Sequence, residues 1–101
     1  MADEAKHPLL ERLKLRLAIF HTKQDSELTD ELNASQQRIK QIVGSDDITD
    51  PIIAELVIER VRYAYYDQLE YFEQNFQNEL ISASINRLEA SDDANPPTEE
   101  L

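Results

Sequence analysis

Apolar residues recur along this chain mostly at intervals of three and four, the spacing that gathers them on one face of an α-helix. Leu10, Leu13 and Leu17 form the first stripe, with Leu9 beside it. Pro8 stands at the opening turn, where a missing N–H costs nothing. Lys14 and Arg16 are read as lying off the stripe. The helix is expected to stop near Ala18, followed by a turn over 19–24 into which Ile19 and Phe20 tuck. A second helix is predicted from Asp25 or Ser26, either able to cap free N–H groups, with Glu27 suited to the positive helix end. Its stripe is Leu28, Leu32, Ile39, Ile42 and Val43, and Ser35 marks a point of close packing. Gly44, the single glycine of the chain, falls where a left-handed C-cap is wanted.

The polar stretch SDDITD (45–50) reads as a loop, and Asp50-Pro51 as a helix cap followed by the first helical position. Ile53, Leu56, Val57, Val61, Ala64 and Leu69 make a long third stripe, with Arg60 beside Val61. Tyr63, Tyr65, Tyr66, Tyr71, Phe72 and Phe76 crowd its end and beyond. From Asn75 to Leu88 two periods compete. Ile81, Ala83 and Ile85 alternate with Ser82, Ser84 and Asn86 as in a strand. Leu80, Ser84 and Leu88, with Ile81 and Ile85, equally fit a helix. The expected fold class is all-α: a small bundle of three to four helices, with 79–88 open between a helix and a short strand or extended arm. Residues 1–7 are expected to be a flexible N-terminus, 8–88 one helical domain, and 89–101 (EASDDANPPTEEL) a disordered acidic tail.

Length and charge narrow the function classes. The chain has 101 residues, enough for one core and not two. It has no cysteine, so disulfides, thiolate metal sites and cysteine nucleophiles are excluded. No apolar run approaches the roughly 18 residues of a membrane helix, and MADEAKHP lacks a signal-peptide apolar region, so a soluble, intracellular product is expected. The formal net charge is −11, which argues against gripping nucleic acid, because phosphate neutralisation needs clustered Lys and Arg. The charge is also uneven: Lys6, Arg12, Lys14, Arg16 and Lys23 face one acid, Glu11, over residues 6–23, whereas 89–101 carries only acids. Such polarity suits contacts between copies.

Catalytic and metal patterns are not found. His7 and His21 have no third nitrogen or sulfur ligand at a useful spacing, and no HExxH is present. Asp46, Asp47 and Asp50 do not match a calcium loop, because Gly44 precedes them instead of standing at the sixth position. They are expected to cap helix ends. Glu55/Glu59 and Glu70/Glu73 are placed on polar, solvated faces. No cofactor or metal is expected, and no enzymatic activity. Tyr63, Tyr65 and Tyr66 cannot all face one core from one helix, since neighbours are about 100° apart. Some are expected at the surface, where tyrosine is enriched in interface cores.

The segments LLERLKLRL (9–17), DSELTDELNASQQRIKQIVG (25–44) and DPIIAELVIERVRYAYYDQLEYFEQNF (50–76) resemble the small head–tail connector (adaptor, DNA-packaging) proteins of tailed bacteriophages. The likeness covers about residues 8–88 and rests on apolar patterns, not on a catalytic signature. Where some members carry a Gly/Ser-rich stretch after the third helix, this chain continues with EYFEQNFQNELISASINRL (70–88). The resemblance implies a ring of about a dozen copies below the portal, a closed arrangement that needs two different complementary patches per subunit. It further implies the portal protein and a stopper or tail-completion protein as partners. DNA would pass through the channel without sequence-specific binding, and the protein would reside in the virion after assembly in the host cytoplasm. Arg12, Arg16, Tyr63, Tyr66, Phe72, Phe76, Ile81 and Ile85 are the candidates for subunit or portal contacts. Asp46, Asp47, Glu55 and Glu59 are the candidates for the channel lining. The competing expectation is a small acidic helical interaction module, an adaptor or a DNA-mimicking inhibitor.

Overall fold

The computed structural model describes residues 6–94. Helix α1 (Leu10–Leu17), α2 (Asp25–Val43) and α3 (Pro51–Tyr65) follow in order, then a 3₁₀ turn (Leu69–Tyr71), a single helical turn α4 (Phe72–Asn75) and α5 (Gln77–Ala94). The class is all-α, as the periodicity predicts.

Helix α3 is the centre. Its run PIIAELVIERV is apolar on more than one face, and a helix that is apolar nearly all round must be enclosed. Ile53, Ala54, Leu56, Val57, Ile58 and Val61 are all buried. Helix α2 packs along α3, α1 lies across both, and α5 covers the remaining side. Leu10, Leu13 and Leu17 from α1, Leu28, Leu32, Ile39 and Val43 from α2, and Leu80 and Ala83 from α5 complete one continuous core. At Ser35, fully buried, the small side chain accepts a hydrogen bond from Arg60 Nη1 at 3.1 Å.

The helix ends follow local chemistry. Asp50 caps α3, its carboxylate accepting from Ile52 N–H at 2.9 Å, with Pro51 behind it. Gly44 closes α2 at φ 96°, as expected, and the Arg87 guanidinium of α5 lies against it so closely that a Cβ would sit 2.7 Å from Arg87 Nε. Two further helices end on left-handed residues that are not glycine, Ala18 (φ 58°) and Asp67 (φ 61°). In both cases a paired set of backbone bonds holds the reversal: Ala18 N–H to Leu15 and Ile19 N–H to Lys14; Asp67 N–H to Ala64 and Gln68 N–H to Tyr63.

Several expectations are corrected. The third helix does not reach Leu69, because the bonds around Asp67 stop it at Tyr65. Residues 79–88 are helical, not a strand: Leu80 and Ala83 sink into the core, and Ser84 Oγ donates to the Ile42 carbonyl. Among the described residues there is no strand for a lone extended segment to pair with. Helix α5 runs on to Ala94, so the tail boundary expected at 89 falls inside a helix; residues 95–101, like 1–5, lie outside the described residues. His7, assigned to a flexible N-terminus, is buried. Its Nδ1 accepts from Leu9 N–H at 3.0 Å, so Nε2 carries the proton donated to Gln36 Oε1 at 2.6 Å. In the turn after α1, Ile19 tucks in as expected, whereas Phe20 is 81% exposed. Asp25 does not cap α2 but belongs to its first turn and faces Lys14.

Two substitutions test this account. Leu13→Ala, at a fully buried position, is expected to cost about 2–5 kcal/mol in urea unfolding. Gly44→Ala forces a side chain into the left-handed region against Arg87 and is expected to cost about 1–2 kcal/mol; an unchanged unfolding midpoint would show that this cap is dispensable.

Candidate functional site

Buried apolar surface pins α1 to α3, and one ion network crosses the same junction. Glu59, expected on a solvated face, is buried because α3 is enclosed on that side too. Its carboxylate accepts from Arg62 Nε (3.0 Å) and Nη2 (2.7 Å) and from Arg16 Nη1. Arg16 reaches Glu55 as well, at 2.8 and 3.2 Å, and Arg12 Nη2 lies 3.9 Å from the same carboxylate. Burial alone would raise the Glu59 carboxyl, but the hydrogen bonds from Arg62 and then Arg16 outweigh it and hold the group below its ordinary value. The bond to Glu55, more than that to Glu59, raises the Arg16 guanidinium.

These partnerships redefine the residues picked out from the sequence. Arg16 and Glu59 are committed to each other, so Arg16 is not a free contact residue and Glu59 is not a free channel carboxylate. Glu55 is shared between two arginines. Arg12 remains about half exposed, with a side-chain exposure of 53%. Asp46 and Asp47 are exposed in the loop after α2. Asp47 Oδ1 takes both the Thr49 hydroxyl (2.6 Å) and the Thr49 N–H (3.1 Å), which lower its pKa in that order. The Asp46 carbonyl accepts from Gln36 Nε2 at 2.8 Å. The four acids therefore do not present one free surface of charge.

A second ion pair involves a lysine expected off the apolar stripe of α1. Lys14 occupies the buried side of α1, its Nζ 2.7 Å from Asp25 Oδ1, and Lys6 Nζ stands 3.4 Å from Asp25 Oδ2. The signal was present, since position 14 completes the 10-13-14-17 helical face; its charge concealed it. The hydrogen bond from Lys14 chiefly lowers the Asp25 carboxyl.

The aromatic residues divide as their angular spacing requires. Phe72 is fully enclosed and therefore supplies core, not interface. Phe76 stacks on it at 4.9 Å between ring centres, and Tyr63 meets both edge-on at 5.7 and 5.6 Å. Asn75 Nδ2 donates to the Tyr63 hydroxyl at 3.1 Å. Phe76 and Tyr63 thus belong mainly to the corner that turns the chain from α3 into α5. Tyr66 is 54% exposed, and Tyr65 and Tyr71 also face outward.

Helix α5 has two apolar faces. Leu80 and Ala83 are docked, while Ile81, Ile85 and Leu88, spaced four and three apart, stand about half exposed as an outward ridge. Ile81 and Ile85 are thus where an intermolecular contact can reach them. Among the described residues, two guanidinium nitrogens inside the fold, Arg60 Nε and Arg87 Nε, are buried without a hydrogen-bond partner. Burial, reinforced by nearby Arg38, lowers the Arg60 pKa. Among the described residues no three His, Asp or Glu side chains gather as a metal cage, and no described helix is long and apolar enough to cross a membrane.

Compared with protein-family models, with curated proteins and with solved structures, the chain finds no match. Its surfaces therefore carry the functional argument.

The buried carboxylates set a pH dependence. Asp25 and Glu59 are depressed in the folded state, so the stability they contribute is complete above the ordinary carboxylate value, near 4, and drains as pH falls through the lower folded value. The melting temperature is expected to stay level from pH 7 to about 5.5 and to fall steeply below about 4. Glu59→Gln should cost about 1–3 kcal/mol at pH 7, because it removes the buried charge and sets an NH2 donor where one of the two guanidinium groups needs an acceptor, although Arg16 keeps its bonds to Glu55. It should also flatten the acid limb. Thermal melts of both proteins across pH check this.

Proposed function

We propose that the chain is a structural assembly protein, a subunit of a phage head–tail connector, which joins copies of itself into a ring at the head–tail junction and extends the DNA channel. The observation that carries this reading is the outward ridge of α5. A helix that already spends one face on the core leaves Ile81, Ile85 and Leu88 in water at a cost that association recovers. The leucine-rich first helix, capped second helix and Asp-Pro third helix supply the likeness to connector proteins. In this reading the ridge and Tyr66 serve subunit or portal contacts, Arg12 on α1 offers a separate contact face, and the exposed Asp46 and Asp47 border the lumen, where like charge keeps DNA from adhering. Phe72, Phe76, Tyr63, Arg16 and Glu59 act from within, by holding the helices that carry those surfaces. The reading assigns the protein no reaction and no cofactor, and it locates the protein in the virion.

The test is native mass spectrometry with negative-stain imaging, on the protein alone and mixed with its cognate portal. Closed rings are expected in at least one sample. Ile81→Asp with Ile85→Asp should abolish them while keeping the helicity and lowering the melting temperature only modestly, because both side chains are about half exposed and outside the buried core. A protein that stays monomeric and ignores the portal would remove the connector reading and favour the small acidic adaptor instead.

A further inference from the structure

Phe20 is the most exposed large apolar residue described, more so than Leu15 at 71%. It does not hang on a loose segment. Ile19 on one side is buried and its N–H is bonded to the Lys14 carbonyl at 2.9 Å. On the other side Lys23 N–H donates to His21 Nδ1, and Asp25 N–H donates to the Thr22 carbonyl, both at 3.2 Å. The turn thus holds a phenyl ring in water between two anchored points.

Close by is a groove of about 310 Å³ between the start of α2 and the end of α3. Its floor is apolar, formed by Leu28, Val61 and Ala64, and its rim carries Glu27 and Glu31. Tyr65 spans one end, its hydroxyl donating to Gln24 Oε1 at 3.4 Å. The groove is large enough for one benzyl side chain, yet Phe20 of the same chain does not enter it. Among the described residues, neither Lys23 nor Glu27 nor Glu31 has an ion-pair partner. A knob flanked by a cation and a groove rimmed by two anions therefore complement each other in shape and in charge.

Their nearness along the chain suits a reciprocal contact. Phe20 and Gln24 are four residues apart, so knob and groove lie within about 15 Å along the chain. A patch that holds both halves of a contact side by side is self-complementary, which is the requirement of a two-fold, reciprocal interface. We propose that a second copy of this chain occupies the groove: each protomer inserts Phe20 between Glu27 and Glu31 of its partner, and Lys23 meets that acidic rim. This dimer uses elements other than the α5 ridge and stands independently of the connector reading.

Sedimentation velocity over a range of protein concentrations tests it, with Ile81→Asp/Ile85→Asp present throughout so that ridge-driven assembly is removed. A monomer–dimer equilibrium is expected. Phe20→Ala should weaken it at least about tenfold, as for a buried aromatic anchor. Lys23→Glu should weaken it too, and adding Glu27→Lys and Glu31→Lys to that variant should restore association by exchanging the charges. Phe20 and Lys23 are exposed and lie outside the helices, so unchanged melting curves are expected for those two substitutions. A strictly monomeric protein, a dimer indifferent to Phe20→Ala, or a charge exchange that fails to restore association would each overturn the proposal. Loss of the ridge mutant's rings with the Phe20-dependent dimer intact would separate this inference from the connector reading.

Discussion

A fifteen-residue helix that is apolar on several faces cannot rest on a surface, and the enclosure of α3 organises everything around it. Helix α2 supplies one long wall, α1 a short second one, and α5 the third. Eight residues of α1 are too few to hold helical form alone in water. Its shape depends on burying Leu10, Leu13 and Leu17 against the bundle. The same enclosure forces Glu59 out of water, and a buried carboxylate is tolerable only when it is paired and hydrogen-bonded. Arg62 from its own helix and Arg16 from α1 meet that demand. The ion network is thus a consequence of how completely α3 is covered, and it fixes the rotation of α1 about its axis.

The corner after α3 has a comparable logic. Asp67 enters the left-handed region, stops the helix, and lets Phe72 enter the core where a continuing helix would have carried the chain past it. Tyr63, Phe72 and Phe76 then pack as one cluster, and Arg38 of α2 bonds Glu73 at 2.9 and 3.1 Å across the outside. These contacts set the direction in which α5 leaves. Against the end of α2, the Arg87 guanidinium lies over Gly44 and Ser84 donates to the Ile42 carbonyl. What the bundle leaves outside is then determined: a ridge on α5, an aromatic knob after α1, and a groove with an acidic rim. The first underlies the connector proposal and the other two the reciprocal dimer, so both proposals rest on surfaces that core packing has already fixed.

Much of this was legible in the residues. The stripes of α1 and α2, the end of α1 at Ala18, the cap at Gly44 and the Asp50-Pro51 start are short-range effects, governed by neighbours within a turn or two, and they hold in the folded chain. The all-α class follows from the same periodicity. The burial of Lys14 and Glu59, the enclosure of Phe72, the exposure of Phe20 and the helical state of 79–88 were decided by partners distant in sequence. A charged side chain reads as solvated until a counter-charge 11 or 43 residues away, as with Asp25 for Lys14 and Arg16 for Glu59, is brought against it. Likewise the segment from Asn75 to Leu88 carries two periods of equal strength, and only the space left beside α2 and α3 selects the helix. Local hydrogen bonding and periodicity belong to the sequence alone; which polar groups are dehydrated, and which apolar ones stay wet, belongs to the tertiary structure, because both depend on contacts between helices that no local pattern specifies.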